Sequence, residues 1–246
     1  MLRFLKAVPL ALPFMLALTA LGFLFTSCTT GNSASARFVH AIANTGELDI
    51  EINGTKSFPG VVFDEPSSGY IGVPAGSDTI EGFQAGTTTQ VFDVSNVSVN
   101  AGSQYTLIAA GPTTNDVTIL NPVDINTEPA DGTVNFRVIN ASFDGPSAVY
   151  VYIVLNPVSG NGCQGTATVS GLAYQQVSGY VPLQYNPSGG YTVYVCNAEN
   201  GNPIFSGDDI GSVGGSSEGS IRTLILTDNS SGTGMSSTPV VLNDLN

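Results

Sequence analysis

The chain has 246 residues, of which 42% are hydrophobic and only 10% are charged, and its 19 acidic and 6 basic residues give a formal net charge of −13. So few basic residues, at a pI of about 4.1, exclude an ordinary nucleic-acid-binding surface. A single His leaves little for acid–base chemistry near neutral pH, so the composition argues against most enzyme classes. No cofactor is predicted.

Residues 1–27 predict an N-terminal signal helix. Arg3 and Lys6 precede 20 residues without any charge, the pattern of a signal peptide. The run ends in Phe25-Thr26-Ser27-Cys28, which resembles the bacterial lipobox, whose Cys is lipidated and becomes the first mature residue. Phe25 stands where that signal usually has Leu. The alternatives are an uncleaved membrane anchor, since the run is long enough to span a bilayer, and plain secretion with an incidental Cys28.

Lipidation at Cys28 predicts attachment to a membrane of the cell envelope. Residues 28–35 are mostly small and polar and are predicted to be a flexible tether. The residue after Cys28 is Thr29 and not Asp, which by resemblance to Gram-negative lipoprotein sorting favours the outer membrane. We therefore expect a lipid-anchored envelope protein, either periplasmic or exposed on the surface.

The remaining chain repeats three short landmarks in the same order. The spacing between the two copies grows from 100 to 110 to 117 residues, as loop insertions in the second copy would produce. We predict a first domain over 36–121, a linker over 122–131 and a second domain over 132–246. The landmark pairs are Arg37–Ala41 with Arg137–Ala141, Ser68–Tyr70 with Ser178–Tyr180, and Gly102–Ile108 with Gly219–Ile225.

Both copies have the alternating pattern of β-strands. Leu48, Ile50 and Ile52 alternate with polar residues, and Asn53-Gly54 then supplies a hairpin turn. Other apolar segments are short and separated by Gly, Pro, Asn and Ser, and no helical period follows residue 35. The predicted fold is all-β, with two tandem antiparallel β-sandwich domains of Ig-like or transthyretin-like type and almost no helix after the signal peptide.

The three cysteines separate by role. If Cys28 carries the lipid, Cys163 and Cys196 remain in the second copy, and in an exported protein they are expected to form a disulfide. A metal site or a nucleophilic thiol is disfavoured, because the only His lies in the first copy.

Seven of the nine tyrosines follow residue 137. In Val149–Ile153 the tyrosines occupy the strand face opposite to the aliphatic residues. Half-buried packing explains this pattern, since strands favour Tyr. The alternative is an aromatic surface that binds a sugar or a protein, with Tyr150, Tyr152 and Tyr194 as its candidate residues.

Other side chains with chemical potential have structural explanations. His40 lies within a strand motif, and Asn140 replaces it in the second copy, so we expect a hydrogen bond to a neighbouring loop and no catalysis. Three loop segments carry carboxylates of the kind that calcium prefers, but they lack the spacing of a calcium loop and are better explained as solvated turns: Asp64-Glu65, Asp208-Asp209 and Asp228-Asn229. No catalytic residue and no metal ligand is predicted.

Four segments of the first copy carry short motifs in a fixed order: Arg37–Ala41, Leu48–Gly54, Tyr70–Gly76 and Tyr105–Gly111. Together they resemble the bacterial and archaeal family "domain of unknown function 4397" over most of residues 36–120. In the second copy Arg137 and Ala141 are kept, but no Val-Pro-Ala-Gly follows Tyr180. The resemblance implies exported β-sandwich domains, often lipid-anchored and in tandem, and it implies no catalytic residues.

We therefore predict a non-catalytic cell-envelope lipoprotein that acts as a binding, adhesive or structural module. Its expected partners are the membrane, through the lipid anchor, and an envelope protein or glycan, but no nucleic acid. Two alternatives stay open: an envelope hydrolase that uses carboxylates, and a calcium-dependent binding protein.

Overall fold

The computed structural model describes residues 32–155, 162–185, 191–207 and 218–245. The predicted signal peptide, Cys28 and the first residues of the tether lie outside these ranges. The chain from Gly31 onward forms one compact unit. Every regular element in the described ranges is a β-strand, which confirms the all-β prediction, and these residues contain no helix able to cross a membrane.

We call the part of this unit from β1 to β9 the first half and the part from β10 to β17 the second half. The nine strands of the first half lie in the residues predicted as the end of the tether, the first domain and the start of the linker. They are β1 (Ser33–Ala41), β2 (Leu48–Ile52), β3 (Thr55–Val61), β4 (Ile71–Pro74), β5 (Gly76–Gln84), β6 (Gln90–Val99), β7 (Gln104–Ala110), β8 (Thr118–Leu120) and β9 (Val123–Asp124).

The described residues of the second half form eight strands. They are β10 (Thr133–Asn140), β11 (Ala148–Leu155), β12 (Val169–Ala173), β13 (Val181–Gln184), β14 (Tyr191–Asn197), β15 (Pro203–Gly207), β16 (Ile221–Leu226) and β17 (Val240–Asn243).

Each half contains two sheets, and the strand order is the same in both halves. The outer sheets have the orders β3-β2-β5-β6 and β12-β11-β14-β15. The inner sheets have the orders β4-β1-β7-β8 and β13-β10-β16-β17, with β9 also paired to β7. Each half has its own hydrophobic core, to which both of its sheets contribute.

The prediction of purely antiparallel sheets is wrong for the centre of both inner sheets. β1 pairs in parallel with β7, and β10 pairs in parallel with β16. A hairpin turn joins consecutive strands and forces them to be antiparallel, so turn signals in the sequence reveal only such pairs. β1 and β7 are separated by five other strands, and their pairing is therefore a tertiary event.

The predicted hairpin between β2 and β3 is present. Leu48, Ile50 and Ile52 are buried, and Ile52 pairs with Thr55 across the turn. Asn53 and Gly54 both have positive φ angles, 52° and 72°, as the tight hairpin turn at this position requires. The alternation of side chains thus predicted this element correctly.

A third hydrophobic core joins the two halves, and we call this contact the seam. It consists of residues from both inner sheets: Val39, Ala41, Ile108, Ala110, Ile139, Ala141, Ile225, Val240 and Leu242. Both inner sheets are therefore covered on both faces. The predicted linker, 122–131, begins with β9, which pairs with β7 and so belongs to the first half. The domain boundaries themselves stay a prediction.

Candidate functional site

Of the predicted site residues, Cys28 lies outside the described residues, and its lipidation stays a prediction. Cys163 and Cys196 form the expected disulfide, with their Cα atoms 6.0 Å apart. Cys196 is fully buried at the end of β14, so the bridge fixes the segment at Cys163 to the outer sheet of the second half.

The three candidate tyrosines do not form an open aromatic surface. Tyr152 and Tyr194 are 6% and 5% exposed, and they cluster with Cys196 on the outward face of β11 and β14. The disulfide segment covers them, since a Cβ atom on Gly162 would lie 2.2 Å from the Tyr194 ring. The covered rings of Tyr152 and Tyr194 fit the packing interpretation of these tyrosines, and Tyr150 is half-buried beside them.

His40 makes local hydrogen bonds, as expected. Its Nδ1 accepts a hydrogen bond from the Ile42 amide at 3.3 Å, and its Nε2 lies 3.2 Å from the Gly46 carbonyl oxygen. Burial lowers the pKa of the imidazole to about 4, and the backbone hydrogen bonds oppose this only in part. His40 is therefore neutral at pH 7, with both ring nitrogens engaged.

The acidic pairs in loops also have local partners. Asp228 accepts hydrogen bonds from the Ser142 hydroxyl and from the Phe143 and Asp144 amides. Asp64 accepts one from the Thr227 hydroxyl at 2.6 Å, and burial raises the pKa of both carboxyls. Asp208-Asp209 lie outside the described residues. Within those residues, no group of three or more His, Cys, Asp or Glu side chains is placed to hold a metal ion.

The most elaborate polar site lies at the seam and consists of eight residues, which we call the seam cluster. Each half contributes one Arg, one Tyr, one Thr and one Asp: Arg37, Tyr70, Thr106 and Asp124 from the first, and Arg137, Tyr180, Thr223 and Asp244 from the second. Both Arg residues and both Asp residues are almost wholly buried.

Arg37 bonds across the seam to the second half. Its Nη2 donates to the Asp244 carboxylate, and its Nη1 donates to the Asn243 carbonyl oxygen at 2.6 Å. Within its own half, Nε donates to the Thr106 hydroxyl at 2.9 Å, and the guanidinium lies 4.8 Å from the centre of the Tyr70 ring.

Arg137 makes the same contacts with the halves exchanged. Its Nη2 donates to the Asp124 carboxylate, and its Nη1 donates to the Val123 carbonyl oxygen at 2.9 Å. Its Nε donates to the Thr223 hydroxyl at 3.0 Å, and the guanidinium lies 4.7 Å from the centre of the Tyr180 ring.

Each carboxylate is saturated by three kinds of donor. Asp124 accepts from Arg137, from the Thr106 hydroxyl at 2.6 Å and from the Tyr70 hydroxyl at 2.7 Å. Asp244 accepts from Arg37, and from the Thr223 and Tyr180 hydroxyls at 2.6 Å each. Burying a charge is tolerated when it is paired and fully hydrogen-bonded, and these four charges meet that condition.

Burial is the main reason that the pKa values of Tyr70 and Tyr180 are raised far above the usual range. The negative charges of Asp124 beside Tyr70 and of Asp244 beside Tyr180 act in the same direction. Both hydroxyls therefore stay protonated and remain hydrogen-bond donors to the carboxylates.

Sequence reasoning did not identify this cluster as a site, although three of its four residue pairs lie in the repeated landmarks. The Arg, Tyr and Thr pairs are separated by 100, 110 and 117 residues, and Asp124 and Asp244 continue the series at 120. The recurrence of Arg, Tyr and Thr at matching places in both copies was the available signal. What the repeat could not reveal is that each Arg bonds to the Asp of the other half.

A groove of about 590 Å³ runs along one side of the seam. Its walls come from the β8–β9 segment of the first half and from residues 175–180 of the second half, and its lining includes Ile119, Leu120, Val123, Ile125, Val177 and Tyr180. Val123, Ile125 and Val177 are 50%, 43% and 39% exposed. The groove is thus an open, mainly aliphatic trough.

A family model described as "Domain of unknown function (DUF4397)" matches residues 34–152, which confirms the resemblance drawn from the motifs of the first half. The match continues beyond residue 121 into β10 and β11. None of the curated proteins matches the chain.

Two solved structures show a distant likeness. One is CBMbc, a family CBM26 module of Eubacterium rectale Amy13K in complex with maltoheptaose, at 14% identity over 87% of this chain and 98% of that chain, with a TM-score of 0.28. The other, titled "Alpha-glucan binding by a streptococcal virulence factor", has 14% identity over 80% and 94%, with a TM-score of 0.25. TM-scores this low do not establish a shared fold, and nothing about this chain follows from them.

Proposed function

For a chain whose residues 34–152 match the domain of unknown function 4397, we propose a non-catalytic role in the cell envelope. The protein is a lipoprotein held to the membrane through Cys28, and residues 31–246 act as a binding, adhesive or structural module. Its partner is another envelope component, either a protein or a glycan.

The observation that carries this proposal is the saturation of the buried ionisable groups. A catalytic acid or base must be free to exchange a proton with a substrate. Asp124 and Asp244 instead each accept three kinds of hydrogen bond within the seam. The only His of the chain bonds to backbone groups through both ring nitrogens. These groups stabilise the fold and leave no proton for chemistry.

The same geometry argues against a carboxylate hydrolase that uses the seam. A glycoside hydrolase holds two carboxyl groups on either side of a substrate, with access for water. The side chains of Asp124 and Asp244 are 0% exposed, and the guanidinium groups of Arg37 and Arg137 occupy the space around them. A substrate could not reach either carboxylate without opening the seam.

The anchor is tested by Cys28→Ala in the cells that produce the protein. We expect the wild type to fractionate with membranes and to enter the detergent phase, because two or more acyl chains hold a protein firmly at a bilayer. The variant is expected to lose both properties, whereas Thr30→Ala, a matched change two residues later, is expected to keep them. Unchanged fractionation of Cys28→Ala would refute the lipid anchor.

The module is tested by chemical crosslinking in intact cells, followed by purification of the protein with its crosslinked neighbours. A specific envelope protein or glycan that is enriched over a control lipoprotein supports the proposal. A melting temperature that rises with calcium and falls with a chelator would favour the calcium-dependent alternative. Absence of any enriched partner, together with no glycan binding by the purified chain, would contradict a binding role.

A further inference from the structure

We propose that the two halves are obligate binding partners of each other, and that the exchange of counterions in the seam cluster sets the register in which they pair. The interaction surface is the inner sheet of each half, and the partner that fits it is the inner sheet of the other half. This inference concerns assembly and does not depend on the function proposed above.

The distribution of charge across the seam is the first argument. Each half brings one cation and one anion to the seam, so each half is neutral there, yet the shortest bond of each Arg does not go to the Asp of its own half, since Arg137 lies 3.5 Å from Asp244. That bond runs from Arg37 to Asp244 and from Arg137 to Asp124, each time across the seam. The longer approach of Arg37 to Asp124, at 3.7 Å, lies within the first half. Separation would therefore break the shortest charge-assisted bond of both cations.

The backbone is part of the same exchange. Arg37 also bonds to the carbonyl oxygen of Asn243, the residue before Asp244, and Arg137 bonds to that of Val123, the residue before Asp124. Each guanidinium therefore recognises a short piece of backbone together with its carboxylate. This arrangement demands one alignment of the two inner sheets, because a displacement by one residue, about 3.3 Å along a strand, would carry each carboxylate out of hydrogen-bond reach of its Arg.

The apolar part of the seam provides the contact area. Alternate residues along the central strands face the other half, for example Val39 and Ala41 of β1, and Ile139 of β10 with Ala141 just after it. All four are 0–1% exposed in the intact chain. Either half alone would leave this row uncovered, and a continuous apolar patch of that kind marks an interaction surface.

Two further contacts fix the ends of the sheets. The Thr227 hydroxyl, just after β16, donates to Asp64 at 2.6 Å, and the Asn44 amide, just after β1, donates to the Ser231 carbonyl oxygen at 3.0 Å. Both contacts lie beside the C-terminal ends of β1 and β16. The halves are thus aligned at the cluster and again at these ends.

The test uses the full-length chain with a protease site inserted between Asn126 and Thr127. Both residues are exposed, and a cut there leaves Asp124 on the N-terminal fragment. The disulfide lies within the second half and does not join the fragments. After cleavage of the folded protein at about 1 µM, we expect the fragments to co-elute as one species. Fragments that separate and each keep their β-sheet signal would overturn the proposal.

The role of the cluster is tested by Asp124→Asn in the same cleavable chain. Removing the charge takes away the closest counterion of Arg137 and the only one that it has across the seam among the described residues, so we expect the fragments to separate at a concentration at least roughly tenfold higher than for the wild type. Asp78→Asn is the matched control, since Asp78 is equally buried but bonds to Asn53 within the outer sheet of the first half. Equal behaviour of the two variants would overturn the role of the cluster.

A milder variant keeps the test valid if Asp124→Asn does not fold. Thr106→Val preserves the shape of the side chain but removes the hydroxyl that links Arg37 to Asp124. We expect a severalfold weaker association of the cleaved halves and an unchanged sheet content. An association as tight as that of the wild type would again contradict the proposed role.

Discussion

At the scale of single residues, His40 and Asn140 show two side chains filling one role. The Asn140 Oδ1 accepts from the Ser142 amide at 3.1 Å, just as His40 Nδ1 accepts from the amide two residues later. The Asn140 Nδ2 donates to the Leu172 carbonyl oxygen at 3.1 Å, where His40 uses Nε2 and Gly46. A neutral amide and a neutral imidazole each carry a donor nitrogen and an acceptor atom, so the position requires a neutral donor and acceptor and not the His itself.

This equivalence predicts an acid sensitivity that His40→Asn removes. The folded pKa of His40 is about 4 and its unfolded value is 6.5, so the unfolded chain takes up the proton first as the pH falls. The contribution of neutral His40 to the free energy of unfolding is fully present above pH 6.5. It falls by up to about 3 kcal/mol as the pH drops towards 4. Denaturant unfolding at pH 7, 5.5 and 4.5 measures it. If the free energies of unfolding of the wild type and of His40→Asn change with pH in the same way, the prediction is contradicted.

The seam tyrosines predict an opposite, alkaline sensitivity. Because their folded pKa values are raised above 10, the neutral hydroxyls stabilise the fold fully below pH 10, and this contribution is lost as the pH rises further. Tyr70→Phe/Tyr180→Phe should be less stable at pH 8, because two hydrogen bonds to carboxylates are lost, but should lose less stability between pH 9 and 11. Thermal unfolding over this range tests it, with Tyr150→Phe as the control. A steeper loss for the double variant would refute it.

At the scale of elements, how much the side-chain pattern of a strand revealed depended on whether one or both of its faces are buried. β2 of the outer sheet shows the alternation that identified it, because one of its faces carries Glu51 and the other packs in the core. β1 and β10 are covered on both faces, and their continuous burial hides any alternation. The sequence could therefore locate these strands but not assign them to the centre of a sheet.

Gly82 illustrates a packing constraint within an element. It lies in β5 without a positive φ, yet a Cβ atom there would be 2.3 Å from the Phe92 ring on β6. Gly82→Ala is therefore expected to destabilise the fold by about 1–3 kcal/mol through overpacking. Gly72→Ala is the matched control, since Gly72 is also in a strand and its Cβ would meet nothing within 4 Å. Equal midpoints of chemical unfolding for the two variants would disprove this packing argument.

At the scale of the whole molecule, the seam converts two halves of the same strand order into one unit. The turn formers of residues 122–131 predicted a linker between two domains, but Asp124 and β9 within this segment take part in the seam cluster and in the inner sheet. These contacts depend on where Arg137 lies in space, which the sequence pattern does not specify.

The seam predicts non-additive effects of charge removal. Asp244→Asn alone removes the closest counterion of the buried Arg37, leaving only Asp124 at 3.7 Å, and is expected to cost about 3–5 kcal/mol. Arg37→Met/Asp244→Asn removes both charges, so its cost should be smaller than the sum of the two single changes. Urea unfolding of the four chains measures this coupling. Additive losses would show that the two residues are not energetically linked.

The sequence by itself determined the β-strands, the hairpin at Asn53-Gly54, the pairing of Cys163 with Cys196 and the family resemblance of the first half. These features were inferred from local side-chain alternation, turn chemistry, short motifs and the expectation that the chain is exported. Only the tertiary structure decided that β1 lies parallel to β7, that Tyr152 and Tyr194 are covered, and that each Arg bonds to the Asp of the other half. Such contacts join residues up to 207 positions apart, and no local pattern specifies which distant charge neutralises which.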